Sequence, residues 1–183
     1  MEPQGVILDL KPAYPPLGAK DVQENEIIEF LYKIFCEALI DSKPTWNKKP
    51  LKMRWNRPVN GRHAIFHHII SDSSNVGEYA KESDRPLSLE RCARLHWIAP
   101  LIKEANSCFP QSENNRIRWW KSERKGSSGQ RYVVSTVGYD YRIVIDERED
   151  YALLVTAYYI EQAHSRTKLQ KEHDKFWLRQ RPT

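Results

Sequence analysis

Glycine is scarce in this sequence, with seven residues in a chain of 183. No segment matches the glycine-rich phosphate loop of nucleotide hydrolases, the fingerprint of dinucleotide-binding domains or the serine elbow of α/β-hydrolases. The sequence also lacks the cluster of aspartates and glutamates with which metal-dependent nucleases hold their ions. These absences argue against a nucleotide hydrolase, a dehydrogenase, a serine esterase and a metal-dependent nuclease.

Cysteines and long apolar runs are also few. The three cysteines, Cys36, Cys92 and Cys108, cannot all pair with one another and do not have the spacing of metal ligands. No run of apolar residues is long enough to cross a bilayer, and the N-terminus lacks the basic start and apolar stretch of a signal peptide. We therefore expect a cytoplasmic protein with reduced thiols, no membrane association, no bound metal and no cofactor.

Positive charge is abundant and unevenly distributed. The formal net charge is +5 and the isoelectric point is about 9.1. Residues 43–63 contain seven basic side chains and no acidic one, and residues 116–131 contain six against Glu123 alone. Such concentrations favour an acidic partner, and RNA is the partner that we expect. Runs of charge are most often solvated surface, so these runs alone do not define a binding site.

The first part of the chain predicts a lead-in followed by a helix. Residues 1–20 hold four of the eleven prolines and predict an irregular lead-in to a single domain over residues 21–183. Asp21 and Glu24 form a capping-box pattern. A helical stripe of apolar residues follows and ends before Pro44.

The rest of the chain predicts an α+β fold. Residues 63–71 suit a strand or a helix, because so short a run shows no decisive period, and Ser88 begins a second helical pattern. Beyond Pro110 the apolar period changes to two, with candidate strands at 116–121, 131–136, 140–146 and 151–159. Their short connections force antiparallel neighbours. The expected architecture is therefore N-terminal helices, a four-stranded antiparallel β-meander and a C-terminal helix that begins near His164.

Two stretches carry side chains suited to RNA chemistry. His67 and His68 offer imidazoles in an apolar frame, and metal-free RNA cleavage needs a group with such a pKa to accept the 2′-hydroxyl proton. At most one of them is expected to be catalytic, and a core histidine bonded to a backbone carbonyl is the structural alternative. Trp119, Trp120 and Lys121 interleave aromatic and cationic groups as single-strand RNA binders do, although a core strand with a basic outer face would read the same.

Strict alternation along the last strand would place four side chains on one face: Ala152, Leu154, Thr156 and Tyr158. Threonine and tyrosine are good strand formers, so their spacing alone favours a purely structural role.

The order of these pieces resembles the phage-associated barnase–EndoU–colicin–RelE-like (BECR) nucleases. The matching pieces lie within roughly residues 60–178: Phe66-His67-His68-Ile69, residues 90–98 with Pro100 after them, residues 154–158, and residues 164–172. No single piece is specific, and the resemblance depends on their order and on the short connections. It implies a metal-independent endoribonuclease that cleaves through a 2′,3′-cyclic phosphate, commonly as a toxin with an immunity or antitoxin partner.

The resemblance also implies roles for individual residues. His68, Arg94 and Thr156 take the family's catalytic positions. Three further side chains are expected to bind the substrate: Lys121, Tyr158 and Arg166. The chain departs from the family at Tyr159, where a proline is usual, and the doubled histidine leaves the choice between His67 and His68 open.

The leading hypothesis is therefore an endoribonuclease acting on tRNA or mRNA, with His68 as general base or acid. The main alternative is a phage module on the same scaffold that binds nucleic acid or protein without cleaving it. A transferase acting on a nucleotide is a weaker third possibility.

Overall fold

The computed structural model describes residues 10–13, 24–53, 58–72, 85–112, 115–123 and 129–180. Within these ranges the chain forms five α-helices and one six-stranded mixed sheet, which confirms the α+β class. The helices are α1 (Glu24–Cys36), α2 (Ala64–Ile70), α3 (Leu89–Cys92), α4 (Ile98–Cys108) and α5 (Ala163–Gln180). None of the helices in the described ranges is both long and apolar enough to cross a membrane.

The sheet contains two strands that the sequence did not predict. Its strands are β1 (Thr45–Trp46), β2 (Lys49–Lys52), β3 (Ile117–Ser122), β4 (Gln130–Thr136), β5 (Tyr141–Glu147) and β6 (Ala152–Tyr159). Their order is β1-β2-β6-β5-β4-β3, and β2 runs parallel to β6 whereas the other neighbours are antiparallel. The expected four-stranded antiparallel meander is therefore not the whole sheet, which has six strands and is mixed.

The extra hairpin, β1–β2, lies within the basic run of residues 43–63 and is held by contacts to the end of β5. Lys49 Nζ lies 2.8 Å from Glu147 Oε1 and donates to the Arg148 carbonyl at 2.7 Å. Asn47, with a positive φ of 50°, turns the hairpin and donates to the same carboxylate. The strands β1 and β2 have only two and four residues, and β2 contains Pro50. Such short strands show no alternation of apolar and polar residues, so periodicity could not reveal them.

The helices follow the sequence pattern with one interruption. Residues 64–70 are helical, which settles the strand-or-helix alternative for that segment. The Ser88 side chain caps α3 by accepting from the Arg91 N–H, as predicted. The helix then breaks into a 3₁₀ turn at Leu95–Trp97 before α4, whose first turn contains Pro100. On the N-terminal side, α1 continues as a π-helical stretch over Glu37–Asp41, and the capping-box residue Asp21 lies outside the described residues.

The two faces of the sheet bury different cores. The larger core lies between the sheet and the helices α1, α2 and α4, and it includes Phe35, Phe66, Ile98 and Tyr141. The smaller core lies under α5 and consists of Trp120, Val133, Tyr139, Ile160 and Leu169. Trp177 also ties α5 to the edge strand, because its Nε1 donates to the Trp119 carbonyl at 2.9 Å.

A β-bulge in β6 changes which side chains share a face. Val144 pairs with Thr156 and Ile145 pairs with Leu154, so Val155 is an extra residue in the ladder. Ala152 and Leu154 therefore face the larger core, whereas Thr156 and Tyr158 lie on the α5 face. The predicted single row of four was wrong, because strict alternation does not anticipate a bulge.

Candidate functional site

A cleft of about 460 Å³ opens where α3, the end of β6 and the first half of α5 meet. Its floor carries Arg142 and Tyr158, which are direct cross-strand partners on β5 and β6 and so project from the same face. Glu90 and Arg91 from α3 form one wall, and Gln162 and Lys168 at the start of α5 form another. The adjacency of the floor residues is therefore a consequence of strand register.

Arg142 is the most unusual side chain in the cleft. Its Nη1 donates to the Tyr158 hydroxyl at 3.2 Å, whereas its Nε is buried and has no acceptor among the described residues. No described carboxylate forms an ion pair with this half-buried guanidinium. Because cations withdrawn from water are normally paired, Arg142 is a site that an anionic ligand would satisfy.

Arg91 brings a second guanidinium to the same phenol. Its Nη1 donates to the Ser71 carbonyl at 2.6 Å, and its Nη2 lies 3.6 Å from Asp72 Oδ1. Its guanidinium carbon lies 5.4 Å from the centroid of the Tyr158 ring. The C-terminal end of α2 thus fixes Arg91 beside Tyr158, and its charge is partly offset by Asp72.

The wall residue Tyr159 is clamped between two arginines. The Arg94 guanidinium lies 3.8 Å from the ring centroid, and Arg166 Nη2 donates to the Tyr159 hydroxyl at 3.3 Å. Arg94 is 7 % exposed and also donates to the Glu90 carboxylate at 2.5 Å. Arg166 Nε bonds the Ile160 carbonyl at 2.8 Å, which fixes the start of α5 to the end of β6. Both predicted residues therefore shape the cleft from behind its surface.

A fully buried hydroxyl lies in the core close to these arginines. The Tyr141 hydroxyl has no hydrogen-bond partner among the described residues. Burial raises the pKa of Tyr141, while the charges of Arg91 and Arg94 oppose that rise. Tyr141 is therefore a neutral phenol.

The cleft lining contains both positive and negative side chains. Three cations, Arg91, Arg142 and Lys168, line it together with four carboxylates: Asp72, Glu90, Glu161 and Glu172. Two of these carboxylates are engaged by arginines, Asp72 by Arg91 and Glu90 by Arg94. The site is thus not a broad cationic surface. On its floor, Arg142 is a cation that forms no ion pair with a described carboxylate.

None of the three predicted catalytic residues, His68, Arg94 and Thr156, is among the residues that line the cleft. Thr156 lies two residues before Tyr158 on the same face, and its buried Oγ1 has no hydrogen-bond partner among the described residues. His68 does not line the cleft. It is half-buried on α2, with its Nδ1 3.3 Å from Arg85 Nη1 and its carbonyl 3.4 Å from Arg91 Nη1.

The neighbouring histidine has the environment of a core residue. His67 is 7 % exposed, and its Nε2 lies 3.2 Å from the Val59 carbonyl. This is the structural alternative that the sequence left open for one member of the pair. His68 is the more exposed of the two.

The predicted substrate-binding residues are divided between two places. Tyr158 lies on the cleft floor, and Arg166 lies behind the wall. Lys121 is exposed and lines a different depression of about 270 Å³ beside the second half of α5, together with Trp120 and Phe176. The structure therefore brings Tyr158, Arg94 and Arg166 into one neighbourhood and leaves Lys121 outside it.

Sequence reasoning missed Arg91 and Arg142. Arg142 is a single charge within the apolar run of residues 141–145, directly opposite Tyr158 once the strands are paired. A charged residue inside a strand of buried neighbours is a signal that could have been used. Arg91 offered no comparable signal, because Glu90 and Arg94 surround it with ordinary helical charges.

Comparisons with protein-family models, with curated proteins and with solved structures find no match to this chain. The resemblance to BECR nucleases therefore stays a prediction from the sequence.

Proposed function

We propose that the cleft binds a phosphate group of RNA and that the chain is a metal-independent endoribonuclease acting at that phosphate. The observation that supports this most directly is the Arg142 guanidinium, half-buried on the cleft floor without a described acidic partner. A guanidinium matches the geometry of phosphate oxygens through two parallel hydrogen bonds.

The surroundings of Arg142 suit a phosphodiester undergoing transesterification. In that reaction the ribose O2′ attacks phosphorus, the bond to O5′ breaks, and a proton moves from the 2′-hydroxyl to the leaving oxygen. Negative charge grows on the non-bridging oxygens, where Arg142, Arg91 and Lys168 would stabilise it. The Tyr158 hydroxyl, which accepts from Arg142, would orient the same phosphate.

His68 stays the predicted general base or acid in this proposal. Its backbone contact with Arg91 puts α2 next to the cleft wall, so a bound RNA strand that extends past Arg91 would approach it. Arg94 and Arg166 would act by holding Tyr159 and Glu90 in place rather than by contacting phosphate.

Binding without cleavage is the second candidate, and one observation favours it. No histidine in the described part of the chain lines the cleft, so the group best suited to proton transfer at neutral pH is not on its surface. A module that binds RNA, with or without an immunity or antitoxin partner, needs only the phosphate anchor.

The test is incubation of purified protein with tRNA and total RNA, with and without EDTA, followed by mapping of the product ends. Cyclic-phosphate ends formed in EDTA support the endoribonuclease, and their loss in Arg142→Gln ties the activity to the cleft. The matched control is Arg118→Gln, which changes an arginine on the same sheet face outside the cleft lining. Intact RNA that is nevertheless bound by the wild type and not by Arg142→Gln favours the binding module.

A further inference from the structure

We infer that the cleft engages a single phosphate of RNA and does not follow successive phosphates along the backbone. This inference rests on the proposed function and specifies the form of its substrate. It follows from how the charges of the described residues are distributed inside and outside the cleft.

Part of the positive charge in the two basic runs, residues 43–63 and 116–131, is paired with carboxylates within the protein. Four arginines and lysines of these runs face carboxylates: Lys49 with Glu147, Arg62 with Glu29, Arg116 with Glu104, and Arg131 with Asp146. On α5, Lys175 and Arg179 both contact Glu123. Each of these cations would have to release a carboxylate before binding a phosphate, so together they do not form a ready track.

Inside the cleft, carboxylates flank the phosphate anchor. Glu161, in the connection before α5, and Glu172, on α5, line the cleft together with Lys168. A phosphate bound at Arg142 has cations within the same cleft, whereas the next phosphate along the strand would approach these acidic side chains. Like charges brought together at an interface are unfavourable, so the flanking carboxylates limit binding to one phosphate.

The same carboxylates suit the neutral parts of a nucleotide. Carboxylate oxygens accept hydrogen bonds from ribose hydroxyls and from base N–H groups, and Gln162 and Ser165 add further polar groups to the wall. A volume of about 460 Å³ has room for roughly one nucleotide rather than a long strand. The ligand that fits this lining is one phosphodiester with its adjoining nucleoside.

Counting released counterions tests the inference. Dissociation constants would be measured from 50 to 300 mM KCl for fully 2′-O-methylated RNA di-, tetra- and octanucleotides, which lack the attacking hydroxyl. One phosphate contact predicts that the logarithm of the association constant falls with the logarithm of salt with a slope of about −0.7, the same for the tetramer and the octamer. A slope of about −2 or steeper that grows with length would overturn the single-phosphate inference and leave RNA binding intact.

Removing the flanking acids provides the second arm. The double variant Glu161→Gln with Glu172→Gln is expected to bind the octamer roughly fivefold more tightly and with a steeper slope, because two like charges are gone. Glu149→Gln, an exposed carboxylate in the β5–β6 turn, is the control and should leave both quantities unchanged. Unchanged octamer affinity in the double variant would contradict the inference, and failure of the wild type to bind any oligomer would overturn the proposed function together with it.

Discussion

Two arginines near opposite ends of strand β5 have contrasting surroundings. At one end, Arg131 of β4 lies opposite Asp146 and binds its carboxylate with two hydrogen bonds of 2.5 and 2.9 Å. At the other end, the cross-strand neighbours of Arg142 are Ser135 and Tyr158, which carry no charge. One guanidinium is neutralised within the protein, and the other faces a cleft.

This difference teaches how the same strand serves stability and binding. The side chains of the Arg131–Asp146 pair are 13 % and 6 % exposed, so the pair stabilises the sheet and its charges are already satisfied within the protein. Among the described residues, Arg142 gains only a hydrogen bond to a phenol, and its buried Nε has no acceptor. Leaving a guanidinium unsatisfied costs stability, and a bound phosphate would recover that cost.

Breaking the Arg131–Asp146 pair is expected to give the largest effect on stability. Arg131→Gln leaves the buried Asp146 carboxylate without its main partner and should lower the free energy of unfolding by about 3 kcal/mol. Urea denaturation followed by circular dichroism measures this loss. Arg148→Gln removes a weaker contact to the same carboxylate, at 3.4 Å and with more exposure, and should cost less than about 1 kcal/mol. Equal losses in both variants would show that Asp146 does not depend on Arg131.

Changing Arg142 should have the opposite consequence, a large loss of activity with little loss of stability. Arg142→Gln is expected to lower the rate of RNA cleavage on the order of 100-fold, because it removes a donor to the developing charge. Its free energy of unfolding should fall little or rise, because a poorly satisfied cation has been removed from the cleft floor. Full activity of this variant in EDTA would remove Arg142 from the mechanism.

Tyr158→Phe tests the hydroxyl that accepts a hydrogen bond from Arg142. The substitution removes the acceptor of the Arg142 hydrogen bond but keeps the ring beside Arg91, so RNA affinity should fall by roughly tenfold or less. Comparing dissociation constants at one salt concentration measures the change. Tyr151→Phe, a half-buried ring just before β6 that lies beside Lys52, is the control in which no change is expected.

Tyr132, next to Arg131 on β4, predicts a pH dependence of stability. Burial, with the nearby charge of Glu147, raises the pKa of Tyr132 to about 12. The unfolded chain therefore loses this proton first, near its ordinary pKa of about 10, so stability should fall as the pH rises from about 10 to 12. Unfolding free energies of the wild type and Tyr132→Phe across this range give the difference. A parallel pH dependence in the two proteins would contradict the assignment.

The sequence predicted the fold class because helical and strand periods are local properties. The candidate strands 131–136 and 151–159 fall within one or two residues of β4 and β6. The hairpin β1–β2 escaped prediction because its stability comes from distant partners, above all the contact of Lys49 with Glu147. The bulge at Val155 escaped for a similar reason, since only pairing with β5 reveals it.

The candidate site was predictable only in part. The sequence singled out Tyr158 as a substrate-binding residue, and Tyr158 lines the cleft. Arg142 becomes notable only when strand register places it opposite Tyr158. Arg94 was expected to contact substrate, whereas its place between Glu90 and Tyr159 depends on a helix break at Cys92 and a strand 60 or so residues away. Tertiary pairing, which no local pattern carries, decides these roles.

The most direct measurement follows the Nε–H signals of the arginines by ¹⁵N–¹H NMR while a 2′-O-methylated RNA tetranucleotide is added. The Arg142 signal, assigned by its loss in Arg142→Gln, should move strongly downfield as its Nε gains a phosphate acceptor, whereas the Arg131 signal should stay in place because Asp146 already satisfies it. An Arg142 signal that does not move while the RNA binds would contradict the account that this guanidinium anchors the phosphate.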